Sequence, residues 1–173
     1  MPRHFAFIKN LVENRQQDIT ITGTCFEYGM QGRLPYRNDE TKPANAYAIA
    51  KDNLRKQLEQ LQQQNKFMLK WVRLFYMFGA GQNPNSLLSQ LDKALENEDA
   101  VFNMSGGEQV RDYLPVENVA ANIVTIALQQ NITGIVNCCS GKGITVKEFV
   151  QNYLKDKNQS ITLNLGFLSL CRL

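Results

Sequence analysis

Histidine and regularly spaced cysteines are nearly absent from this 173-residue chain, which has one histidine and four cysteines. His4 lies near the amino terminus, and Cys25, Cys138, Cys139 and Cys171 have no paired metal-ligand spacing. Zinc sites need several such ligands at regular spacing, and small disulfide-stabilised folds need a cysteine framework. We therefore expect neither a metal site nor a disulfide framework, and we expect reduced thiols in a cytoplasmic protein.

Long apolar runs and clusters of charge are missing as well. The most apolar stretch, FMLKWVRLFYMFGAG, is interrupted by Lys70 and Arg73, and the apolar run in MPRHFAFIKN is too short for a signal peptide. The net charge is only +3, and the basic residues do not cluster. These features argue against both a membrane and a nucleic acid as partners of the chain.

A glycine-rich phosphate-binding turn is the third absence. The sequence has no Gly-x-x-Gly-x-x-Gly series, the pattern that lets a pyrophosphate approach the amino terminus of a helix. Gly79 and Gly81 lack a third glycine at the right distance, and so do Gly141 and Gly143, which flank Lys142. We expect no phosphate site at either turn.

What the sequence does contain is an alternation of strand and helix patterns. The apolar segments typical of strands are DITITGT, FMLKWVRLFYMFG, AVFNMS, GIVNCCS and SITLNL. Helical periodicity is found at about 5–13, 45–65, 85–97, 116–129 and 145–155. This alternation predicts an α/β fold with a largely parallel sheet, in a chain long enough to bury one core.

The longest predicted helix carries a Tyr-x-x-x-Lys pattern. Tyr47 and Lys51 share one helical stripe with the apolar residues Leu54, Leu58 and Leu61. We therefore expect the tyrosine and the lysine on the inward edge of the helix. A neighbouring ammonium favours the phenolate, so it lowers the pKa of a tyrosine from about 10 towards the working pH of an acid–base catalyst.

The chain contains this pattern twice, so the pattern is weak evidence by itself. Tyr153 and Lys157 repeat the spacing, with the lysine in a polar helix end. A packed tyrosine beside a lysine whose stem covers apolar surface is the ordinary explanation of such a pair. The context favours the first copy, because Thr24 ends a strand just before that helix and ligands bind at the carboxyl ends of parallel strands.

Five blocks of sequence follow one another as they do in a known enzyme family. They are ITGTCFEYG, DETKPANAYAIAKDNLRKQL, WVRLFYMFGAGQNP, SGGEQVRDYLPVENVA and GIVNCCSGKGITVKEFV. In this order they resemble the extended short-chain dehydrogenase/reductases, the NAD-dependent epimerases and dehydratases that act on nucleotide sugars. The resemblance implies one domain over 1–173, with part of a Rossmann-like parallel sheet at about 5–80 and a mostly substrate-binding α/β portion at about 81–165.

The resemblance implies a catalytic set of Thr24, Tyr47 and Lys51. Tyr47 would exchange a proton with a sugar hydroxyl or ketone while hydride moves to or from the nicotinamide of NAD or NADP. Lys51 would hold the nicotinamide ribose and lower the pKa of Tyr47, and Thr24 would hydrogen-bond the reacting oxygen. Tyr47 and Lys51 are thus the implied cofactor-binding residues as well.

The resemblance also implies contacts to a nucleotide-sugar substrate. Arg111 matches an arginine that contacts the nucleotide diphosphate, a suitable role for a forked cation. From the residues alone, Arg111 and Asp112 are interpreted as a surface ion pair. Asn85 and Leu87 lie in a segment that helps to form the sugar-nucleotide pocket of the family.

Two departures from the family pattern narrow the expected reaction. Dehydratases carry Thr-Asp-Glu at the strand end, whereas Cys25 and Phe26 follow Thr24 here. Tyr76 replaces an asparagine that many members have after Arg-x-Phe. We therefore expect 4-ketosugar reduction or C4 epimerisation with NAD(P) rather than dehydration, close to the enzymes that make deoxysugars for bacterial surface polysaccharides.

The missing glycine-rich turn gives a further expectation. In the family, three or four strands precede the position where this chain begins, and relatives continue beyond LSLCRL. We expect an incomplete domain that binds NAD(P) poorly and turns over no substrate alone. The alternative functions are a non-catalytic interaction module that pairs with a separate cofactor-binding chain, and a generic α/β domain. The resemblance also implies a homodimer formed through helix 45–65.

Overall fold

A computed structural model describes residues 2–29 and 34–168, so the prediction for Cys171 lies outside the described residues. The helices are α1 (Pro2–Glu13), α2 (Ala46–Gln64), α3 (Leu87–Glu96), α4 (Val116–Leu128) and α5 (Val146–Asp156), with a 3-10 helix at Cys25–Tyr28. The strands are β1 (Asp18–Thr24), β2 (Met68–Leu74), β3 (Tyr76–Phe78), β4 (Val101–Met104), β5 (Val110–Arg111), β6 (Tyr113–Pro115), β7 (Gly134–Cys138), β8 (Ile144–Thr145) and β9 (Thr162–Leu165). The predicted helices are all present, with ends within a few residues of those expected.

The predicted parallel sheet is confirmed as a three-stranded sheet of order β1-β2-β7. Thr24 and Cys138 both pair with Leu74, so all three strands end at the same level. β7 lies in the stretch expected to be mostly substrate-binding, and it nevertheless completes the sheet that β1 and β2 begin. The carboxyl ends of the three strands form one edge, where ligands bind in open α/β sheets.

The segment FMLKWVRLFYMFG was predicted as one strand, and this prediction is wrong. It forms β2 and then β3, which pairs in parallel with β6 in a separate sheet. The reason is that β1 and β7 both end opposite Leu74, so the backbone groups of Tyr76–Phe78 have no partner in the first sheet. Strands as short as β5, β6 and β8 carry no periodicity by which a sequence could reveal them.

Both faces of the three-stranded sheet are covered by helices. Leu54, Leu58 and Trp71 join α2 to one face, whereas Val72 and Val119 join α4 to the other. A third apolar cluster holds α3 and α5 against β4, and β4 pairs with β9. Among the described residues, no helix is both long and apolar enough to cross a membrane.

The charged residues that interrupt the apolar run in β2 are buried and paired. Lys70 donates hydrogen bonds to the Asp18 carboxylate and to the Ala127 carbonyl, both at 2.8 Å. Arg73 donates from Nε to the Glu27 carboxylate at 2.7 Å. Buried charges are tolerated only where they are paired in this way, so these pairs are what allows the strand to occupy the middle of the sheet.

The predicted inward stripe of α2 is confirmed for its leucines and wrong for Tyr47. Leu54, Leu58 and Leu61 are buried, but Tyr47 is 52% exposed. Lys51, one helical turn further on, reaches the Thr22 carbonyl near the end of β1. Tyr47 therefore extends beyond the strand ends, where the sheet no longer covers the helix.

The buried face of α2 also carries a carboxylate, Asp52. Lys56 and Arg55 donate hydrogen bonds to Asp52 at 2.7 and 2.8 Å. Burial alone raises the pKa of Asp52, but these hydrogen bonds and charges outweigh burial, so its pKa lies below the ordinary value.

We expect Asp52→Asn to flatten the acid side of the stability curve. A carboxyl with a lowered folded pKa stabilises the protein above its unfolded pKa of about 3.9, and this stabilisation is lost as the pH falls through the folded pKa. The measurement is urea unfolding at several pH values between about 2 and 6. Glu40→Gln, at an exposed position, is the control. An acid-side slope equal to that of the unaltered chain would count against a role for Asp52.

Candidate active site

The candidate site lies at the carboxyl end of β1, and its first residue is Thr24. The Thr24 side chain is buried, and its Oγ1 accepts a hydrogen bond from the Phe26 amide at 3.3 Å. Glu27 in turn accepts a hydrogen bond from the Thr24 amide at 2.9 Å. This reciprocal capping of the 3-10 helix fixes the backbone of Thr24 and leaves its hydroxyl proton available to an oxygen beyond the strand end.

Lys51 and Tyr47 reach the same end of the sheet from α2. Lys51 donates from Nζ to the Thr22 carbonyl at 2.8 Å. Its pKa is lowered by burial, against a smaller opposing effect of the Glu27 charge. Since an ammonium has three N–H groups, two remain for other acceptors.

The pKa of Tyr47 is raised above its ordinary value rather than lowered as expected. The causes are burial first, then the negative charge of Glu27, and then Cys25, which adds repulsion only once its thiol has ionised. Lys51 is not among the causes of this shift. The Tyr47 hydroxyl therefore remains protonated at neutral pH in this arrangement.

Glu27 is a residue that sequence reasoning missed. It is fully buried, and its carboxylate accepts hydrogen bonds from the Trp71 indole at 3.1 Å and from Arg73 at 2.7 Å, in addition to the Thr24 amide. A Cβ at Gly23 would collide with the Trp71 ring and with this carboxylate. The available signal was the isolated arginine in an apolar strand, since a buried guanidinium requires an acidic partner.

Arg73 has a second interaction besides Glu27. Its guanidinium carbon lies 4.2 Å from the centre of the Tyr28 ring, a cation–π distance. Its two terminal nitrogens are buried and have no hydrogen-bond partner among the described residues. Tyr28 donates to Asn137 of β7 at 2.7 Å, so the group spans all three strands of the sheet.

A large cleft of about 940 Å³ opens beside the strand end. Its lining is Phe26, Gly29, Ala44, Asn45, Tyr76, Met77, Phe78, Gln82, Ser86, Leu87, Leu88, Ser105, Gln109, Arg111, Tyr113, Val146 and Phe149. A mostly apolar cleft with a few polar groups is typical of small-molecule sites. Of the two residues predicted to line the sugar-nucleotide pocket, Leu87 at the start of α3 is in this lining, whereas Asn85 on the preceding loop is exposed and lies outside it.

Arg111 lies in the wall of the cleft. Its guanidinium carbon is 5.2 Å from the centre of the Tyr76 ring, and Nη1 donates to the Val110 carbonyl at 2.8 Å. The stacked ring holds the planar cation in a fixed orientation while its remaining N–H groups can reach an anion. The interpretation of Arg111 and Asp112 as a surface ion pair is wrong, because Asp112 is fully buried.

Asp112 instead binds the turn that follows β7. Its two carboxylate oxygens accept hydrogen bonds from the Ser140 and Gly141 amides, both at 2.7 Å. These amides belong to the turn that contains Gly141, Lys142 and Gly143. A carboxylate thus occupies the place that an anion would take at this turn.

Comparison with known proteins identifies the family. The sequence profile of the NAD dependent epimerase/dehydratase family matches residues 8–139, which is more than half of the chain. The chain is a member of this family.

Individual relatives agree with this family assignment. The chain is 26% identical over 160 residues to dTDP-6-deoxy-L-talose 4-dehydrogenase (NAD(+)) of Aggregatibacter actinomycetemcomitans, covering 92% of this chain and 59% of the relative. Its fold is similar to UDP-N-acetylglucosamine 4-epimerase from Methanobrevibacter ruminantium M1 in complex with UDP-N-acetylmuramic acid, with a TM-score of 0.79 and 20% identity over 89% of this chain and 51% of that one.

A second similar structure is RMD from Pseudomonas aeruginosa complexed with NADPH, with a TM-score of 0.79 and 16% identity. The match covers 94% of this chain and 60% of that one. The chain therefore spans about half to three fifths of the length of these relatives. The two structural likenesses establish a Rossmann-like fold of the kind found in the family.

The residues after Thr24 differ from the acid–base pair of the family's dehydratases. Burial raises the pKa of the Cys25 thiol to about 12, and the neighbouring Arg111 charge opposes this only in part. The thiol therefore stays protonated and is too weak an acid to release its proton near neutral pH. Phe26 has no proton to exchange, so neither side chain is suited to acid–base chemistry near neutral pH.

The second Tyr-x-x-x-Lys pair has a structural role. Tyr153 donates to the Asp92 carboxylate at 2.8 Å, and Lys157 donates to the same carboxylate at 2.7 Å. These contacts join α5 and its carboxyl-terminal cap, Lys157, to α3 beside the third apolar cluster, against which Tyr153 packs. The two copies of the pattern thus differ in what their lysines bind: a side chain in this copy, and a strand-end carbonyl in the copy on α2.

Proposed function

We propose that the chain supplies the substrate-binding and proton-transferring part of an NAD(P)-dependent oxidoreductase that acts at C4 of a nucleoside diphosphate sugar. The favoured reaction is reduction of a 4-ketosugar. The observation that carries the proposal is the strand end at which Thr24 and Lys51 are fixed, beside an apolar cleft with Arg111 in its wall. The names of the curated relative and of the epimerase both refer to position 4.

The protonation state of Tyr47 favours reduction. A tyrosine hydroxyl is protonated at neutral pH at its ordinary pKa of about 10, and burial moves the pKa of Tyr47 further from neutrality. The protonated form is the one that can donate a proton to the oxygen of a ketone. Thr24 donates a second hydrogen bond to the same oxygen and thereby stabilises the negative charge that develops on it. As the carbonyl carbon gains hydride, Tyr47 Oη passes its proton to the oxygen, the product is the alcohol, and Tyr47 recovers a proton from solvent.

The residues of α2 fit one end of the dinucleotide. Among residues 2–29 and 34–168, Lys51 uses one of its three N–H groups, and Tyr47 is half exposed, so both can hydrogen-bond the nicotinamide ribose. The 173 residues contain no glycine-rich turn that could hold the pyrophosphate. When bound, NAD(P) supplies the hydride. We therefore expect weak cofactor binding by the chain alone, visible as an unchanged melting temperature with NADH or NADPH.

Arg111 gives the sharpest test of the substrate class. We expect the chain to bind UDP-sugars or dTDP-sugars, and Arg111→Ala to weaken this binding about tenfold or more, since hydrogen bonds between charged groups are among the stronger ones. The measurement is isothermal titration calorimetry, and Arg3→Ala on the exposed side of α1 is the control. Equal affinities for the Arg111 variant and the control would contradict the proposed role.

A reconstitution assay separates the remaining functional alternatives. The chain is mixed with a separate polypeptide that carries a glycine-rich turn, a nucleoside diphosphate 4-ketosugar and NADH or NADPH. With the 4-ketosugar, oxidation of the cofactor supports reduction. In a second mixture that contains a nucleoside diphosphate sugar with a hydroxyl at C4 and NAD+ or NADP+, a change of configuration at C4 without net reduction of the cofactor supports epimerisation. Complex formation without turnover supports the interaction module.

A homodimer through helix 45–65 and a cytoplasmic location stay predictions.

A further inference from the structure

Aromatic rings form a continuous wall along one side of the cleft. Phe26 and Tyr76 meet edge to face with ring centres 5.7 Å apart, and Tyr76 and Tyr113 also lie 5.7 Å apart. Tyr113 stacks on Phe149 at 3.7 Å, and Phe78 meets Phe149 at 5.1 Å. All five rings line the cleft. Such mutual contacts hold each ring in place, so the wall is a fixed surface.

The position of the wall relates it to the proposed reaction. Phe26 lies two residues after Thr24, and its amide is hydrogen-bonded to the Thr24 hydroxyl. At the other side, Arg111 stacks on Tyr76. A sugar whose reacting oxygen meets Thr24 and whose diphosphate meets Arg111 therefore extends along the rings of Phe26 and Tyr76.

The faces of these rings can pack against the apolar C–H groups of a sugar but give its hydroxyls no hydrogen-bond partner. A hydroxyl held against an aromatic face loses its water without gaining a partner. In a hexose that reacts at C4, the exocyclic C6 group is attached to the next ring carbon. A methyl group at C6 would gain apolar contact with the wall, whereas a hydroxymethyl or carboxylate group would be desolvated there.

We propose that Phe26 and Tyr76 determine specificity by selecting a sugar that is deoxygenated at C6. This inference rests on the proposed function, because it needs the sugar to react at Thr24. The ring of Phe26 favours the methyl group. The ring of Tyr76, which lies between Phe26 and Arg111, extends the same apolar surface. The two residues contact substrate without taking part in proton transfer.

The test compares matched ligands on the unaltered chain. UDP-6-deoxyglucose and UDP-glucose differ only by the C6 hydroxyl, and so do dTDP-6-deoxyglucose and dTDP-glucose. UDP-glucuronate carries a charged carboxylate at C6. We expect the 6-deoxy sugar to bind about tenfold more tightly than the glucose form, within the roughly hundredfold limit of discrimination against an added hydroxyl by an apolar pocket. Equal binding, or tighter binding of the glucose form, overturns the proposal.

Two variants assign the preference to the wall. Tyr76→Asn and Phe26→Gln should each reduce the tenfold preference to about twofold or less, because each places an amide where the ring was. Phe7→Gln, a matched change at an exposed position of α1, should leave it unchanged. Circular dichroism checks that each variant is folded. If one variant fails to fold, the other variant and the ligand comparison still decide the question.

Binding of UDP and dTDP without a sugar distinguishes failure of the specificity inference from failure of the proposed function. If the nucleotides bind but the matched sugars do not differ, the specificity inference fails and the proposed function stands. If neither nucleotides nor nucleotide sugars bind, the proposed function fails and the inference falls with it. A loss of UDP affinity in Tyr76→Asn equal to the loss for its sugars would mean that the wall binds the nucleotide, which also overturns the inference.

Discussion

Replacing Glu27 with leucine is expected to lower the free energy of unfolding by about 3–5 kcal/mol, the range for breaking a buried ion pair by removal of one partner. The variant leaves the Arg73 guanidinium charged and buried without its carboxylate. It also removes the acceptor for the Trp71 indole and the Thr24 amide. Urea denaturation followed by Trp71 fluorescence measures the change.

The double variant Glu27→Leu with Arg73→Met separates charge from packing. If the lost stability comes from the unpaired guanidinium, removing both charges recovers a large part of it. Glu40→Gln at an exposed position serves as the control and should change stability little. A single Glu27→Leu variant as stable as the unaltered chain would show that the buried pair is not what holds the strand end.

Tyr47→Phe is expected to reduce turnover in the reconstituted mixture by about 10²–10⁴-fold, the usual contribution of general acid–base catalysis. The change removes one hydroxyl from a half-exposed ring, so the affinity for the nucleotide sugar and the stability of the chain should hardly change. The measurement is the rate of NADH or NADPH oxidation at saturating 4-ketosugar.

The second Tyr-x-x-x-Lys pair offers a matched control for this experiment. Tyr153→Phe removes the same atom from the same pattern, but it breaks the hydrogen bond to Asp92. It should therefore lower stability and leave the turnover rate of the folded protein unchanged. Equal loss of turnover in both variants would remove the reason to assign proton transfer to Tyr47.

Much of the fold could be predicted because its helices and longer strands carry strong periodicity. Leu54, Leu58 and Leu61 recur at helical spacing on α2, and that helix lies close to the expected position. The division between β2 and β3 had no such signal. Residues on either side of Phe75 are equally apolar, and only the level at which β1 and β7 end decides where the strand must change partner.

The site was less predictable than the fold. The placement of Thr24 and Lys51 together near the end of β1 follows from motif order, and the hydrogen bond from Lys51 to Thr22 agrees with it. Arg73 in an apolar strand signals a buried acidic partner, but that this partner is Glu27 depends on contacts between residues more than forty positions apart. The exposure of Tyr47 was missed because a helical stripe does not reveal where the sheet beneath it stops.

The hydrogen bonds of Asp112 have a consequence for competition among anions. The carboxylate is tethered beside the Ser140 and Gly141 amides, so its effective concentration there is set by the chain itself, and free phosphate or sulfate must compete against it. In the part of the chain that the structure describes, Arg111 donates to the Val110 carbonyl and to no carboxylate, so an added anion meets no such tethered competitor there. Inhibition of nucleotide-sugar binding by inorganic phosphate would therefore report on the arginine in the cleft and not on the glycine turn.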